Sequence, residues 1–324
     1  MSERRGRAAG AAAMPGTSAE GEVIAAFGRE VEVRIDGSAA PVTCVARGKR
    51  LEAVCGDRVR FSRTGADAAQ GVIDRVLPRT SVLFRRDAMR EKVIAANVTQ
   101  LVCVVAGEPA FSDELLARCL VAAEAESIAA VIALNKCDLS KPRERARTQL
   151  ATCVALGYPV IEIAARPQET ELLDVEPLRE RLTGQCTLLI GQSGMGKSSL
   201  INALVPGARA QTGELSQALS SGRHTTTCSR LYRLAGDTAL IDSPGLQAFG
   251  LAQVPLDRLA WCFREFRPLL GHCRFADCTH GHEPECAIRA AVEDGRIEPR
   301  RLAVYLRIAS ENRYARRRAL EAGR

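Results

Sequence analysis

The sequence predicts a multidomain chain: an N-terminal all-β barrel, a central doubly wound α/β sheet, and a C-terminal metal-binding part with helices. Three observations carry that expectation. Period-two apolar alternations broken by turn residues fill Gly21 to Phe84. From Asn97 the rhythm changes to apolar runs separated by helical stretches. Beyond Trp261, cysteines and histidines crowd a short segment ahead of an arginine-rich helical tail. The matching partition is a disordered tail over 1–20, a barrel over 21–84, the α/β domain over 85–260 and the metal-binding part over 261–324. A chain of 324 residues also exceeds the roughly 250–300 residues at which a single core stops growing.

In the first segment, Glu30–Ile35 alternates and ends at Asp36-Gly37, a hairpin signal. Val42–Val45, Asp57–Ser62 and Gly71–Val76 are further strand candidates. Five short strands fit a small closed barrel, which removes exposed edges. An OB-fold is the expected form, and an SH3-like barrel fits the same pattern. Either commonly binds nucleic acid, and Arg47, Lys49, Arg50 and Arg58 lie near the expected loops.

The central segment supplies apolar strand candidates at Gln100–Ala106, Ala130–Leu134, Val160–Ile163, Thr187–Ile190 and Thr238–Ile241. A helix is expected at Asp113–Ala125, with Ser112 as its N-cap. Alternating strands and helices give a mostly parallel sheet covered on both faces.

Chemistry enters at Gly191-Gln192-Ser193-Gly194-Met195-Gly196-Lys197-Ser198, a full phosphate loop placed between a strand and a helix, with Ser199 beside it. Its glycines let backbone N–H groups curl around a phosphate at a helix N-terminus. Lys197 is expected to bridge the β- and γ-phosphates and Ser198 to bind magnesium. Asp242, ending an apolar strand, takes the Walker-B place, and Pro244-Gly245 turns the chain into a switch-like segment. Asn135-Lys136-Cys137-Asp138 reads guanine: the Asp138 carboxylate accepts from the ring N–H and amine, where adenine would present an acceptor. Ile163-Ala164-Ala165 falls where a Ser-Ala pair normally backs the base, so only a backbone N–H is left for that contact. Gly222-Arg223-His224-Thr225-Thr226-Thr227 resembles an ordered switch, with Thr226 favoured over Thr225 as a magnesium ligand. Leu246 stands where many such enzymes carry a water-orienting Gln, which predicts slow intrinsic hydrolysis, and His224 is the nearest catalytic substitute. The base-reading motif precedes the phosphate loop, the reverse of the ordinary order, so the domain is expected to be a circularly permuted P-loop GTPase.

Cys273, Cys278, His280 and Cys286 offer three thiolates and an imidazole, a closed tetrahedral set suited to one structural zinc per chain. His272 and His282 compete for the nitrogen position. Cys103, Cys119, Cys153 and Cys186 sit singly in apolar runs and are expected to be packing residues. The net charge of +7 lies on the flanks: Arg85 to Ala260 is balanced, whereas Ala287 to Arg324 holds ten arginines against five acids. Such flanks suit RNA. No run is long and apolar enough to span a bilayer, so the expectation is a cytoplasmic monomer without a membrane partner.

As a set these motifs resemble the ribosome small subunit-dependent GTPase A family (RsgA, or YjeQ), across nearly the whole chain. The resemblance implies an OB-fold, a permuted GTPase domain using GTP with Mg2+, and zinc at Cys273, Cys278, His280 and Cys286. It further implies binding to the immature small ribosomal subunit and its rRNA late in maturation, hydrolysis of GTP to GDP stimulated by that particle, release afterwards, and a role for His224. Ala164 departs from the family pattern. The alternatives are a non-catalytic RNA-binding scaffold with a remnant nucleotide site and an ATP-driven motor, the latter opposed by Asp138.

Overall fold

Alternating apolar residues of the N-terminal segment turn inward into one closed barrel. The computed structural model describes residues 18–38, 40–46, 52–64, 69–86, 91–165, 175–205, 207–208, 229–243 and 249–322. Strands β1 (Ser18–Phe27), β2 (Glu30–Arg34), β3 (Val42–Ala46), β4 (Arg58–Thr64) and β5 (Gln70–Val76) bond in the order β1-β2-β3-β5-β4, and β4 returns to β1. That circuit, with β3 parallel to β5, is OB-like. Val23, Val33, Cys44, Val59, Phe61 and Ile73 fill it as a core of its own. The barrel starts earlier than the sequence suggests. Ser18–Glu20 pair with Arg60–Ser62, and Glu20 accepts from Arg60 at 2.6 Å. Val82–Arg86 (β6) and Glu91–Ala96 (β7) form a hairpin outside the barrel, so Phe84 falls inside a strand. Arg47, Lys49 and Arg50 lie outside the described residues; Arg58 pairs with Asp36 at 3.3 Å.

The α/β sheet runs β10-β9-β8-β11-β13-β12. Its parallel members are β8 (Gln100–Ala106), β9 (Ala129–Asn135), β10 (Val160–Glu162), β11 (Cys186–Ile190) and β13 (Ala239–Asp242), while β12 (Ser229–Arg233) is antiparallel to β13. β8 is buried throughout, as a strand covered on both faces must be. Four helices of the α/β domain are α1 (Asp113–Ala125), α2 (Ser140–Ala155), α3 (Glu176–Leu182) and α4 (Lys197–Leu204). Ser112 caps α1 as expected, its Oγ accepting from Leu115 N at 3.2 Å. Cys103, Cys119 and Cys153 are buried and Cys186 half-buried, all as free thiols.

One pairing was not visible in the pattern. β12 also pairs with β1, Ala25 opposite Arg230 and Ala26 opposite Ser229, so barrel and α/β sheet form one continuous eleven-stranded sheet. Cys55 Sγ donates to Ser229 O at 3.1 Å across the same seam.

The C-terminal part has α5 (Leu256–Trp261), α6 (Ala287–Glu293) and the long α7 (Pro299–Ala322). Phe263 stacks on Phe266 at 5.0 Å, and Tyr305 meets both rings edge-on at 5.6 and 5.4 Å. This cluster is continuous with the core of the α/β sheet. Arg118 of α1 holds Glu311 of α7 at 2.8 Å and Arg300 holds Asp113 at 2.6 Å. Arg301–Glu265 and Arg307–Glu114 are also paired, so part of the C-terminal arginine excess is neutralised within the fold.

Candidate nucleotide-binding site

The parallel strands deliver their C-terminal ends to one edge, where open α/β sheets bind ligands. Leu189 lies opposite Asp242, Ile190 opposite Cys103, and Ala106 opposite Asn135. The phosphate loop, Asp242 and the base-reading motif therefore leave the sheet together.

Asn135 is the joint between them. It is buried, its Nδ2 donates to Met195 O at 2.9 Å, and its Oδ1 accepts from Ala165 N at 3.0 Å. One amide thus ties the base-reading strand to the phosphate loop and to the segment with Ala164, whose missing hydroxyl leaves the backbone to hold that loop. Lys136, at φ 61°, donates from Nζ to Glu108 O at 2.9 Å. Asp138 is half-buried one turn later.

In the phosphate loop, Gly194 and Gly196 sit at φ 83° and 86°, which a side chain tolerates poorly. A Cβ on Gly196 would also lie 2.4 Å from Asn135 Nδ2. Gln192, expected to contact the nucleotide, accepts from Ser112 N at 2.7 Å through its side chain, which anchors the loop to the start of α1. Lys197 Nζ donates to Gly191 O at 2.5 Å and Gln192 O at 3.2 Å. Burial pushes the Lys197 ammonium below the ordinary lysine value, with Asp242 opposing; burial likewise pushes the Asp242 carboxyl up, with Lys197 opposing. Ser198 and Ser199 are half-buried in the first turn of α4, below Ser193 on the exposed part of the loop. A poorly solvated lysine bonded to loop carbonyls and near the Asp242 carboxylate suits a polyphosphate with a divalent cation. His224, Thr225, Thr226, Gly245 and Leu246 lie outside the described residues.

The metal-ligand cluster is a second site. The ligand atoms of Cys273, Cys278, His280 and Cys286 all lie within 4.8 Å of one another. His280 presents Nδ1, at 3.6 Å from Cys273 Sγ and 3.5 Å from Cys286 Sγ. His272 and His282 are exposed and outside the cluster, so His280 is the imidazole that lies with the three thiols. Three thiols and a buried imidazole this close together are compatible with one zinc. Glu283 was missed by sequence reasoning. Its carboxylate accepts from Thr279 N, Thr279 Oγ1, Gly281 N and His282 N, and the Thr279 hydroxyl first among these holds it far below the usual carboxylate range. An acid inside a short loop between ligands was the available signal.

Comparison with known proteins agrees with this geometry. Residues 76–252 match the family model described as RsgA GTPase. The chain is 49% identical over 302 residues to the small ribosomal subunit biogenesis GTPase RsgA of Burkholderia pseudomallei (strain K96243), covering 93% of this chain and 94% of that one. It is 47% identical over 293 residues to the protein of the same description from Nitrosospira multiformis, covering 90% and 91%. Among solved structures, it is similar to the crystal structure of YjeQ from Thermotoga maritima, with 29% identity, TM-score 0.67 and coverage of 91% and 99%. It is also similar to YloQ, described as a circularly permuted GTPase, with 26% identity, TM-score 0.63 and coverage of 92% and 96%.

Proposed function

This chain belongs to the RsgA GTPase family, and on that premise we propose that it hydrolyses GTP to GDP and phosphate while bound to the small ribosomal subunit, late in that particle's maturation. The observation that carries the nucleotide reading is the Asn135 amide, which bonds the base-reading and phosphate-binding segments into one site. Asp138 selects guanine by accepting from its donor edge. Backbone N–H groups from Gly191 to Ser198 cradle the phosphates, Lys197 turns to the β- and γ-phosphates, and Ser199 completes the loop. Ser198, Thr226 and Asp242 hold Mg2+, which supplies charge neutralisation between the phosphates. His224 orients the attacking water in place of the side chain that Leu246 lacks, and Gly245 lets the switch reach the γ-phosphate. One Zn2+ per chain is held by Cys273, Cys278, His280 and Cys286 and cross-links a loop too small to hold itself.

In this reading the barrel of β1 to β5 faces RNA, the α/β sheet and its helices up to residue 260 form the GTPase domain, and 261–324 is the zinc-bearing part of a cytoplasmic monomer. β12 begins two residues after Thr227 and pairs with barrel strand β1. Backbone pairing thus joins the strand that follows the switch sequence to the barrel, and on the other side Gly245 is followed within 28 residues by Cys273. Loss of the γ-phosphate loosens a grip made from both flanks. The deciding experiment is GTP turnover with purified small subunits, with large subunits and with neither. Acceleration by small subunits alone is expected; identical rates in all three would overturn the proposal.

A further inference from the structure

The C-terminal part carries a cleft beside the metal cluster, with Cys273, Cys278 and His280 in its lining and space beyond them that the four ligands do not fill. It has a volume of about 470 Å³ and opens between α5, the metal loop and α7, within the size range of small-ligand pockets. Phe275 forms one wall and is 41% exposed, with the Arg274 guanidinium 5.6 Å from its ring centre. Tyr305 lines it from α7, buried against Phe263 and Phe266. Asp257 and Asp277 are exposed along it, and Arg313 stands on its α7 side.

The charge around the cleft is divided. Arg300, Arg301 and Arg307, on the N-terminal half of α7, are spent on Asp113, Glu298, Glu265 and Glu114. Arg313, Arg316 and Arg317, on its C-terminal half, make no ion pair among the described residues and are exposed. Positions 313, 316 and 317 share one helix face, being three and four residues apart, so unneutralised cations run away from the cleft along α7. Beside them Tyr314 is 54% exposed with Arg318 6.0 Å over its ring. Trp261, at the end of α5, is 42% exposed with Arg267 stacked at 3.9 Å.

We propose that this cleft takes one unstacked base of single-stranded RNA, stacked on Phe275, with the neighbouring phosphates on Arg313, Arg316 and Arg317. The arrangement favours that occupant over the others available. Exposed aromatic faces flanked by guanidinium groups are the elements on which single-stranded nucleic acid stacks. Asp257 and Asp277 keep phosphate out of the cleft and accept from the amino or imino edge of a base, whereas the arginines outside attract the backbone. A duplex has no free base to insert. A basic peptide would find the carboxylates but would be repelled by the row on α7. The proposal rests on the reading that the partner is an RNA particle, and narrows it to an unpaired nucleotide at a stated place.

The test uses the full chain with zinc bound and a fluorescein-labelled single-stranded RNA of ten nucleotides, compared by anisotropy with the blunt duplex of the same sequence. Phe275→Ala is expected to weaken single-strand binding about tenfold and Phe275→Trp to preserve it, with duplex binding unchanged in both. Replacing Arg313, Arg316 and Arg317 together by Gln should flatten the slope of log affinity against log salt by about 2, at about 0.7 per lost phosphate contact. In the unmutated protein, the same RNA carrying 5-iodouridine should photo-crosslink to Phe275 or Tyr305. Crosslinks that map only elsewhere, or a Phe275→Ala protein that binds the single strand normally, overturn the proposal. So does capture of a ribosomal-protein tail in the cleft in place of RNA when small subunits are crosslinked. Turnover of GTP with small subunits is measured separately: if the unmutated protein is stimulated while the RNA outcomes fail, only this inference falls.

Discussion

Glu22 in the barrel and Arg233 in the α/β sheet are joined through a single guanidinium nitrogen, 2.7 Å from each oxygen of the carboxylate. Arg34 adds a third contact to Glu22 at 3.0 Å. The carboxylate is 9% exposed, so the pair lies where water screens it weakly, beside the only backbone pairing among the described residues between barrel and sheet.

Replacing Glu22 by Ala should cost about 2 kcal/mol, the value of a hydrogen bond to a charged group together with the stranded partner. Amide exchange should quicken at Ser229–Arg233 and on β1 while β8 and β9 stay protected. Unchanged exchange at Arg230 would show that backbone pairing alone holds the seam.

Asn135→Ala removes both bonds that unite the two halves of the nucleotide site. A loss of about 2–3 kcal/mol is expected, which is roughly 30- to 150-fold in GDP affinity, read by titration with a fluorescent guanine nucleotide. Gly196→Ala should act in the same direction, because its Cβ would enter the space of the Asn135 amide. Wild-type affinity in both variants would refute the role of that amide as the joint.

Protein purified without chelator should contain one zinc per chain by elemental analysis. Cys286→Ser and His280→Ala should lose it, since both side chains are buried members of the cluster. His272→Ala and His282→Ala should keep it. Zinc lost from either of the latter would reassign the nitrogen ligand.

Glu124 sets an acid limit on stability. It accepts from Arg264 at 2.7 Å, Arg267 at 2.5 Å and Tyr158 at 3.0 Å, linking α1 to the segment after α5. Burial alone would raise its pKa, but the hydrogen bonds from Arg267 and Arg264 outweigh it and hold the carboxyl below the ordinary 4.5. A depressed value means that the folded state favours the charged form. The stabilisation is therefore complete above the unfolded pKa of about 4.3 and disappears as pH falls through the lower folded value. Glu124→Gln should lower the melting temperature at pH 7 and flatten its fall in acid; a parallel shift at every pH would exclude this carboxylate as the source.

Much of the site was readable because its chemistry is local. The phosphate loop, Asn135 to Asp138, and the four metal ligands are short motifs whose spacing alone forces a turn, a strand end or a knuckle. The strands around them were equally plain, since a strand buried on both faces, such as Gln100–Ala106, must be apolar throughout. The Gln192 side chain marks the limit of such reading: its amide accepts from Ser112 N, and no rule of spacing pairs those two. The arginines of Ala287 to Arg324 formed a single charge count in the sequence, although some are committed to Asp113, Glu114 and Glu265 and others face solvent.

By itself the sequence determined the three architectures, the rotated order of the guanine-nucleotide motifs and the cluster of three cysteines and a histidine, because periodicity and side-chain type are properties of neighbouring residues. Only the tertiary structure decided that β12 leaves the switch sequence to pair with β1, and that the C-terminal part shares its core with the α/β sheet. Edge-strand pairing is made by backbone groups that every residue carries, so nothing in the side chains of Ala26 and Ser229 marks them as partners until the chain has brought them together.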